Sequence, residues 1–301
     1  MYKTFSLLSG VLISIMVAIN GGLTQQYGLY LATVLIHITG LTVISFIIIT
    51  KREHVFKVRY AWYLYTGGAI GILTVLFNNI AFGRISISAI LALGLLGQGI
   101  CGLIIDQYGW LGMPKHPFRP SKIIGFVIIS VGIIAMINSF HLLAVLVSLG
   151  SGVTIVVSRT LNAKLGELTS IRQSTFFNYF VGSIGMILIF FILGRAEWTA
   201  ARLPSFGQSW MFLGGALGVM IILLFNIVVV KESAIYVTIL SFIGQVFTGL
   251  MIDALIFDIF SLPILLGGLC VTLGFCINIY FDQKHERQSY DEKQQKEVDL
   301  S

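Results

Sequence analysis

Apolar residues in this chain come in long, nearly charge-free runs that follow one another almost end to end. Each run holds about 18 to 23 residues, enough to cross a bilayer core of ~30 Å as a helix. Ten spans are predicted, at 5–23, 29–50, 61–82, 86–106, 121–138, 142–161, 170–194, 208–230, 234–256 and 262–281. The first is too long, and too well integrated into the pattern that follows, to be a cleaved signal peptide. From about Asp282 to Ser301 the residues are continuously polar, which is the composition of a disordered tail.

Composition points the same way. Of 301 residues 56% are apolar and 11% charged, with a mean hydropathy of +0.93, whereas a soluble protein carries roughly 25% charged residues. The expected fold class is an all-α polytopic membrane protein with no soluble domain. A net charge of +6 would suggest nucleic acid in a soluble protein, but here the cations lie between spans. Topology explains them, and no nucleic-acid partner is expected. When the ten spans are threaded in order, all 19 Lys and Arg except Arg84, Arg195 and Arg202 fall on the N-terminal side of the membrane. The positive-inside rule then makes both termini cytoplasmic, in an inner or plasma membrane. Cys101, Cys270 and Cys276 lie inside apolar runs, where cysteine behaves as a small hydrophobe.

The chain also repeats itself. Asn20-x-x-Leu23 matches Asn162-x-x-Leu165, and Gly40 matches Gly182, at an offset of 142. Gly67-Gly68-Ala69-x-Gly71 matches Gly214-Gly215-Ala216-x-Gly218, and Asn79 matches Asn226, at an offset of 147. Gly125 with Gly267 and Gly132 with Gly274 return to 142, so two loops differ in length between the halves. The expected organisation is one five-helix repeat over 1–139, a second over 140–281 and a cytoplasmic tail over 282–301. Five is odd, so the second half enters the membrane upside down. Inverted repeats of this kind are characteristic of secondary transporters, with the substrate site near the midplane where the halves meet.

The best-matched stretch is Gly97-Gln98-Gly99-Ile100-Cys101-Gly102-Leu103-Ile104-Ile105-Asp106. It returns as Gly244-Gln245-Val246-Phe247-Thr248-Gly249-Leu250-Met251-Ile252-Asp253. With Asn20-x-x-Leu23 and with Tyr108-Gly109-Trp110, it resembles the drug/metabolite transporter superfamily, more narrowly the YdcZ-like branch in its fused five-plus-five form. The resemblance covers about residues 5 to 281. It implies an inner or plasma-membrane carrier of small solutes, often assigned to efflux. The Tyr-Gly-Trp has no counterpart after Asp253, so the two gates differ chemically.

Span four runs inwards and span nine outwards. That places Gln98 and Gln245 near mid-depth as symmetry mates, and Asp106 and Asp253 at opposite mouths. A buried amide needs partners in hydrocarbon, and glutamine offers donors and an acceptor to a polar solute. Interhelical hydrogen bonding alone is the competing role. His37 is the one histidine well inside a span, a candidate for proton coupling as well as binding. Tyr179 holds the matching place in the other half, with Asn178 beside it. The predicted substrate-binding set is therefore Gln98, Gln245, Asn79, Asn226, His37, Asn178 and Tyr179, and the predicted gate or coupling set is Asp106, Asp253 and His37. Asn20 and Asn162 are further amides for the cavity.

Arg159 and Lys164, near the inner end of span six, are expected to snorkel to the headgroups. The lack of a fixed charge at mid-depth counts against a strongly charged substrate. There is no nucleophile–base pair, metal-binding spacing or phosphate loop, so no enzyme activity, metal or cofactor is expected. The expected function is alternating-access movement of a small polar or amphipathic metabolite or drug, in the export direction. The partners are that solute, the lipid bilayer and H+ or another coupling cation, with monomer and homodimer both open. A passive channel or facilitator, or a non-transporting scaffold subunit, are the alternatives.

Overall fold

The computed structural model describes residues 2–55, 60–110, 120, 122–136, 141–200, 206–229, 234–259 and 262–299. Within these, the side chains of Asp106, Lys122, Ile279 and residues 199–200, 206–207, 226–229, 234–239 and 282–299 lie outside the description. The predicted Asp106 and Asn226 side chains are therefore among those not described.

Helices make up the architecture, because hydrocarbon offers backbone groups no partner except those of their own helix. In chain order they are α1 (Tyr2–Tyr27), α2 (Leu29–Thr50), α3 (Gly67–Ala81), α4 (Ile87–Tyr108), α5 (Lys122–Met136) and α6 (Leu142–Leu168). There follow α7 (Ile171–Ile189), α8 (Arg195–Ala200), α9 (Gly214–Val229), α10 (Ala234–Ile256) and α11 (Leu262–Asp299). Short 3₁₀ segments, Trp62–Thr66 and Phe206–Leu213, lead into α3 and α9. A π-helical turn, Phe190–Gly194, joins α7 to α8. Among the described residues seven helical stretches are long and apolar enough to cross a membrane, accompanied by three shorter apolar helices, Ile123–Met136, Leu240–Ile256 and Leu262–Asn278. The chain is thus a polytopic membrane protein. The backbone of α11 continues to Asp299 through the polar segment that the sequence suggested as a tail; its Glu, Lys and Gln are good helix formers.

Glycine sets the breaks where the backbone demands it. Gly28 has φ of 85° and lets the chain reverse between α1 and α2, and Gly109, at φ 65°, ends α4 with its N–H on the Ile105 carbonyl.

The helices approach closely wherever glycine removes the side chain, as expected when lipid tails are as apolar as the helices they surround. A methyl group on Gly10 would strike the Ser241 carbonyl, and one on Gly244 would strike that of Leu7, so α1 lies directly on α10. The α6–α4 contact has the same form: Gly152 faces the Gly94 carbonyl and Gly97 that of Leu149. These positions pair at the offsets of 142 and 147, so one contact is built twice. Gly68 on the Asn178 carbonyl and Gly215 on that of Ile36 repeat the pattern. Between α5 and α11, Gly125 meets Gly274 and Gly132 meets Gly267. The main buried cluster, including Ile90, Phe242, Val246 and Ile264, fills the space among α4, α5, α10 and α11. Large apolar side chains such as Phe46, Ile134 and Ile192 point outwards to lipid.

Two substitutions separate packing glycines from incidental ones. Gly152→Leu forces branched carbon against a backbone carbonyl that cannot rotate away, an overpacking cost of at least about 1–3 kcal/mol. It should lower the unfolding temperature in detergent. Gly22 has nothing within 4 Å of its would-be methyl. Gly22→Ala should leave stability unchanged or raise it by up to about 1 kcal/mol.

Candidate functional site

A cavity of about 210 Å³ lies in the middle of the bundle. Helices α1, α2, α3, α4, α6, α7, α9 and α10 all contribute to its wall, and both motif glutamines, Gln98 and Gln245, face it with His37, Tyr179 and Asn178. Five predicted binding residues, from both repeats, thus share one space. The rest of the wall is largely aliphatic, from residues such as Ile13, Ile90, Ile155 and Ile222.

Several of these polar groups are held in place by local contacts. His37 Nδ1 lies 2.9 Å from the Thr33 carbonyl. A carbonyl can only accept, so the proton sits on Nδ1 and Nε2 is left as the free ring nitrogen. The His37 and Tyr179 rings meet edge to face with centroids 6.2 Å apart, and Gly182 and Gly40 make room for them respectively. The Tyr179 hydroxyl donates to the Gly215 carbonyl at 3.3 Å. The Gln245 side-chain NH₂ donates to the Ser241 hydroxyl at 3.3 Å, while the main-chain carbonyl of Gln245 accepts from the Ser14 hydroxyl at 2.6 Å. The side-chain amide of Gln98 has no hydrogen-bond partner among the described residues. Asn178 Oδ1 accepts from Asn162 at 2.8 Å, which turns its NH₂ towards other partners. Asn20 also lines the cavity, and its Oδ1 is buried without a partner among the described residues.

Asn79 is placed elsewhere. It is buried with its NH₂ 3.4 Å from the Thr33 hydroxyl, tying α3 to α2, and its neighbour Asn78 faces the cavity instead. Arg159 does not snorkel outwards: its side chain lines the cavity and its guanidinium carbon stands 5.4 Å above the Phe225 ring. A fixed charge does therefore reach the site.

A second cavity, of about 560 Å³, continues from the first. The two share Gly71, Thr74, Val75, Ile155, Arg159, Asn178 and Ile222, and the second reaches exposed Glu167 and Ile171 at one end of the bundle. The opposite end is closed. There the Phe82 ring fills the space beside Gly21 and packs edge to face on Phe257, with centroids 5.8 Å apart. Ala163, the repeat mate of Gly21, lines the open cavity.

Carboxylates complete the closure. Asp253 is 1% exposed. It accepts from the Ile87 N–H at 2.7 Å, the Ser88 N–H at 2.8 Å and the Ser88 hydroxyl at 2.6 Å. It caps the start of α4. Glu197, which carries no signal in the sequence, does the same for α2, accepting from Tyr30 at 2.9 Å and Leu31 at 2.7 Å. At the other end Glu53 accepts from the Ser170 hydroxyl at 3.1 Å and pairs with Arg172, at the start of α7. Gly28 and Ser170, and Tyr30 and Arg172, are 142 apart, so Glu197 and Glu53 serve equivalent helix starts. Among the described residues no group of three or more His, Cys, Asp and Glu could hold a metal.

No curated protein sequence matches this chain. A solved crystal structure of a protein superposes on 92% of it, and on 95% of that chain, with a TM-score of 0.55 at 11% identity, a likeness of fold. The profile of the family described as "Putative inner membrane exporter, YdcZ" matches twice, over residues 1–135 and 143–277. These two matches take in almost the whole bundle and every helix that lines the cavity, and the chain belongs to the YdcZ family of drug/metabolite transporters.

Proposed function

We propose that this protein exports a small polar or amphipathic solute by alternating access, its ten spans forming two inverted five-helix repeats with both termini cytoplasmic. The observation that carries this reading is a central cavity, walled by both halves, closed at one end and continuous with a second cavity that opens at the other. With cytoplasmic termini, the seal of Phe82, Phe257, Asp253 and Glu197 faces outwards and the opening at Glu167 faces inwards. Doubled glycine contacts support the inverted repeat, because an interface built twice can be exchanged between equivalent arrangements at little net cost.

In this cycle the solute enters from the cytoplasm and binds among Gln98, Gln245, Asn178 and Tyr179. The outer ties then release while the inner ends of α6 and α7 close. Asp253 and Glu197 suit this role because their bonds are to N–H groups that water can also satisfy once the mouth opens. Protonation of His37 at Nε2 would place a positive charge beside Tyr179 and couple H+ to the cycle.

Three measurements test this. Gln98→Ala and Gln245→Ala should each reduce flux into inverted vesicles about threefold to tenfold, the value of one or two lost hydrogen bonds, with folding preserved; normal flux in both would remove the glutamines from the site. Asp253→Ala should expose the cavity outwards. In a background lacking the native cysteines, Met16→Cys should react at least tenfold faster with an external membrane-impermeant thiol reagent, since charge-assisted bonds contribute about 1.5–3 kcal/mol each; an unchanged rate would deny Asp253 a gating role. His37→Ala should abolish accumulation driven by a pH gradient while leaving downhill movement intact. If the native protein never accumulates solute, the cavity is that of a facilitator.

A further inference from the structure

The two-fold match of the halves fails at one charged position. Arg159 lies 142 residues after Val17, and both line the central cavity. A residue needed only to pack or anchor the repeat has reason to recur in kind. This one occurs once, so a nearly symmetric chamber carries its positive charge on one side only.

Among the described residues the charge of Arg159 has no anionic partner, and its named contact is the face of Phe225. The side chain is exposed, yet it lines both cavities, at the place where they join. The acid that shares the wall, Glu167, is eight residues further along α6, about 12 Å at the rise of a helix. A cation inside a membrane span is costly, and it is normally retained to meet a partner of opposite charge.

We infer that Arg159 anchors the anionic group of the transported solute, a carboxylate or phosphate, and so the carrier takes small organic anions. Its planar fork of donors matches the oxygens of either group in bidentate fashion. Asn178 lines the same junction with its Oδ1 already occupied by Asn162, so its NH₂ adds a donor for the same oxygens. Aliphatic wall from Val75, Ile155 and Ile222 flanks the junction and suits the body of the solute. The amides of Gln98 and Gln245 then meet its neutral polar groups deeper in the chamber. Charge on one side also orients the solute, anionic end at Arg159. This inference rests on the transport reading above, and it deepens that reading by naming the substrate class.

Matched probes test it on the full-length purified protein. Benzoate and phenyl phosphate are compared with benzamide and benzyl alcohol by binding-dependent thermal stabilisation, first in phospholipid-free detergent. The anions should bind and the neutral probes should bind at least about tenfold more weakly, the ratio set by one charge-assisted contact. Arg159→Gln should erase the difference and Arg159→Lys should keep part of it, which also guards against a variant that merely misfolds. Equal binding of anionic and neutral probes, or anion binding that survives Arg159→Gln, overturns the inference while leaving transport intact if binding still needs Gln98. Failure of the anionic and neutral probes alike to bind, with flux through Gln98→Ala indistinguishable from that of the native protein, overturns both readings. A lipid headgroup is the rival source of phosphate. If phosphatidylglycerol stabilises the protein through Arg159 while benzoate and phenyl phosphate do not, the residue is a lipid contact and the inference fails.

Discussion

The first N–H groups of a helix have no partner within it, and inside a low-dielectric bundle they must find an acceptor elsewhere. At the starts of α2 and α4 the acceptors include carboxylates from distant parts of the chain. Asp253 of α10 serves the start of α4, and Glu197 of α8 serves the start of α2. Each tie satisfies helix-start donors, holds a negative charge, buried at Asp253 and half-buried at Glu197, against the positive end of a helix, and joins the second half of the chain to the first. An apolar seal alone would have no such address, because dispersion between aliphatic side chains specifies neither which helix start is held nor at what height.

Around these ties the scaffold is nearly symmetric and the site is not. Gly10 with Gly152 and Gly97 with Gly244 make one contact twice, because a carbonyl facing a missing side chain is the closest approach two helices can reach. At the centre, where His37 and Tyr179 hold equivalent places, the chemistry diverges: an imidazole that can gain a proton faces a phenol that cannot. Arg159 faces the same chamber as Val17. Packing tolerates little change on either side of a doubled interface, whereas a cavity wall tolerates any side chain that leaves room. Divergence therefore collects at the site.

Much of the site was legible from residue order alone, because a residue pair that recurs in register must occupy equivalent places. Gln98 and Gln245 met at the cavity for that reason, as did His37 and Tyr179. Asn79 failed on a smaller distance. One residue along a helix turns the side chain by about 100°, so its neighbour Asn78 took the cavity place while Asn79 tied α3 to α2. Arg159 failed in the same way: its depth was legible, but the face it presents depends on where α6 sits against α4 and α3.

The sequence by itself determined what depends on composition and spacing: helices long enough for a bilayer, their membrane class, and the duplication that sets which residues are equivalent. Those follow from free energies of burial and from chain order, which need no partner. Tertiary structure alone decided which end of the cavity is closed, that Asp253 caps the start of α4, and that Glu197 holds the start of α2. The N–H groups of Leu31 and Tyr30 lie 166 and 167 residues from Glu197. No local pattern records a bond of that kind, because the donors belong to every helix start and only the packing of the bundle selects the one within reach.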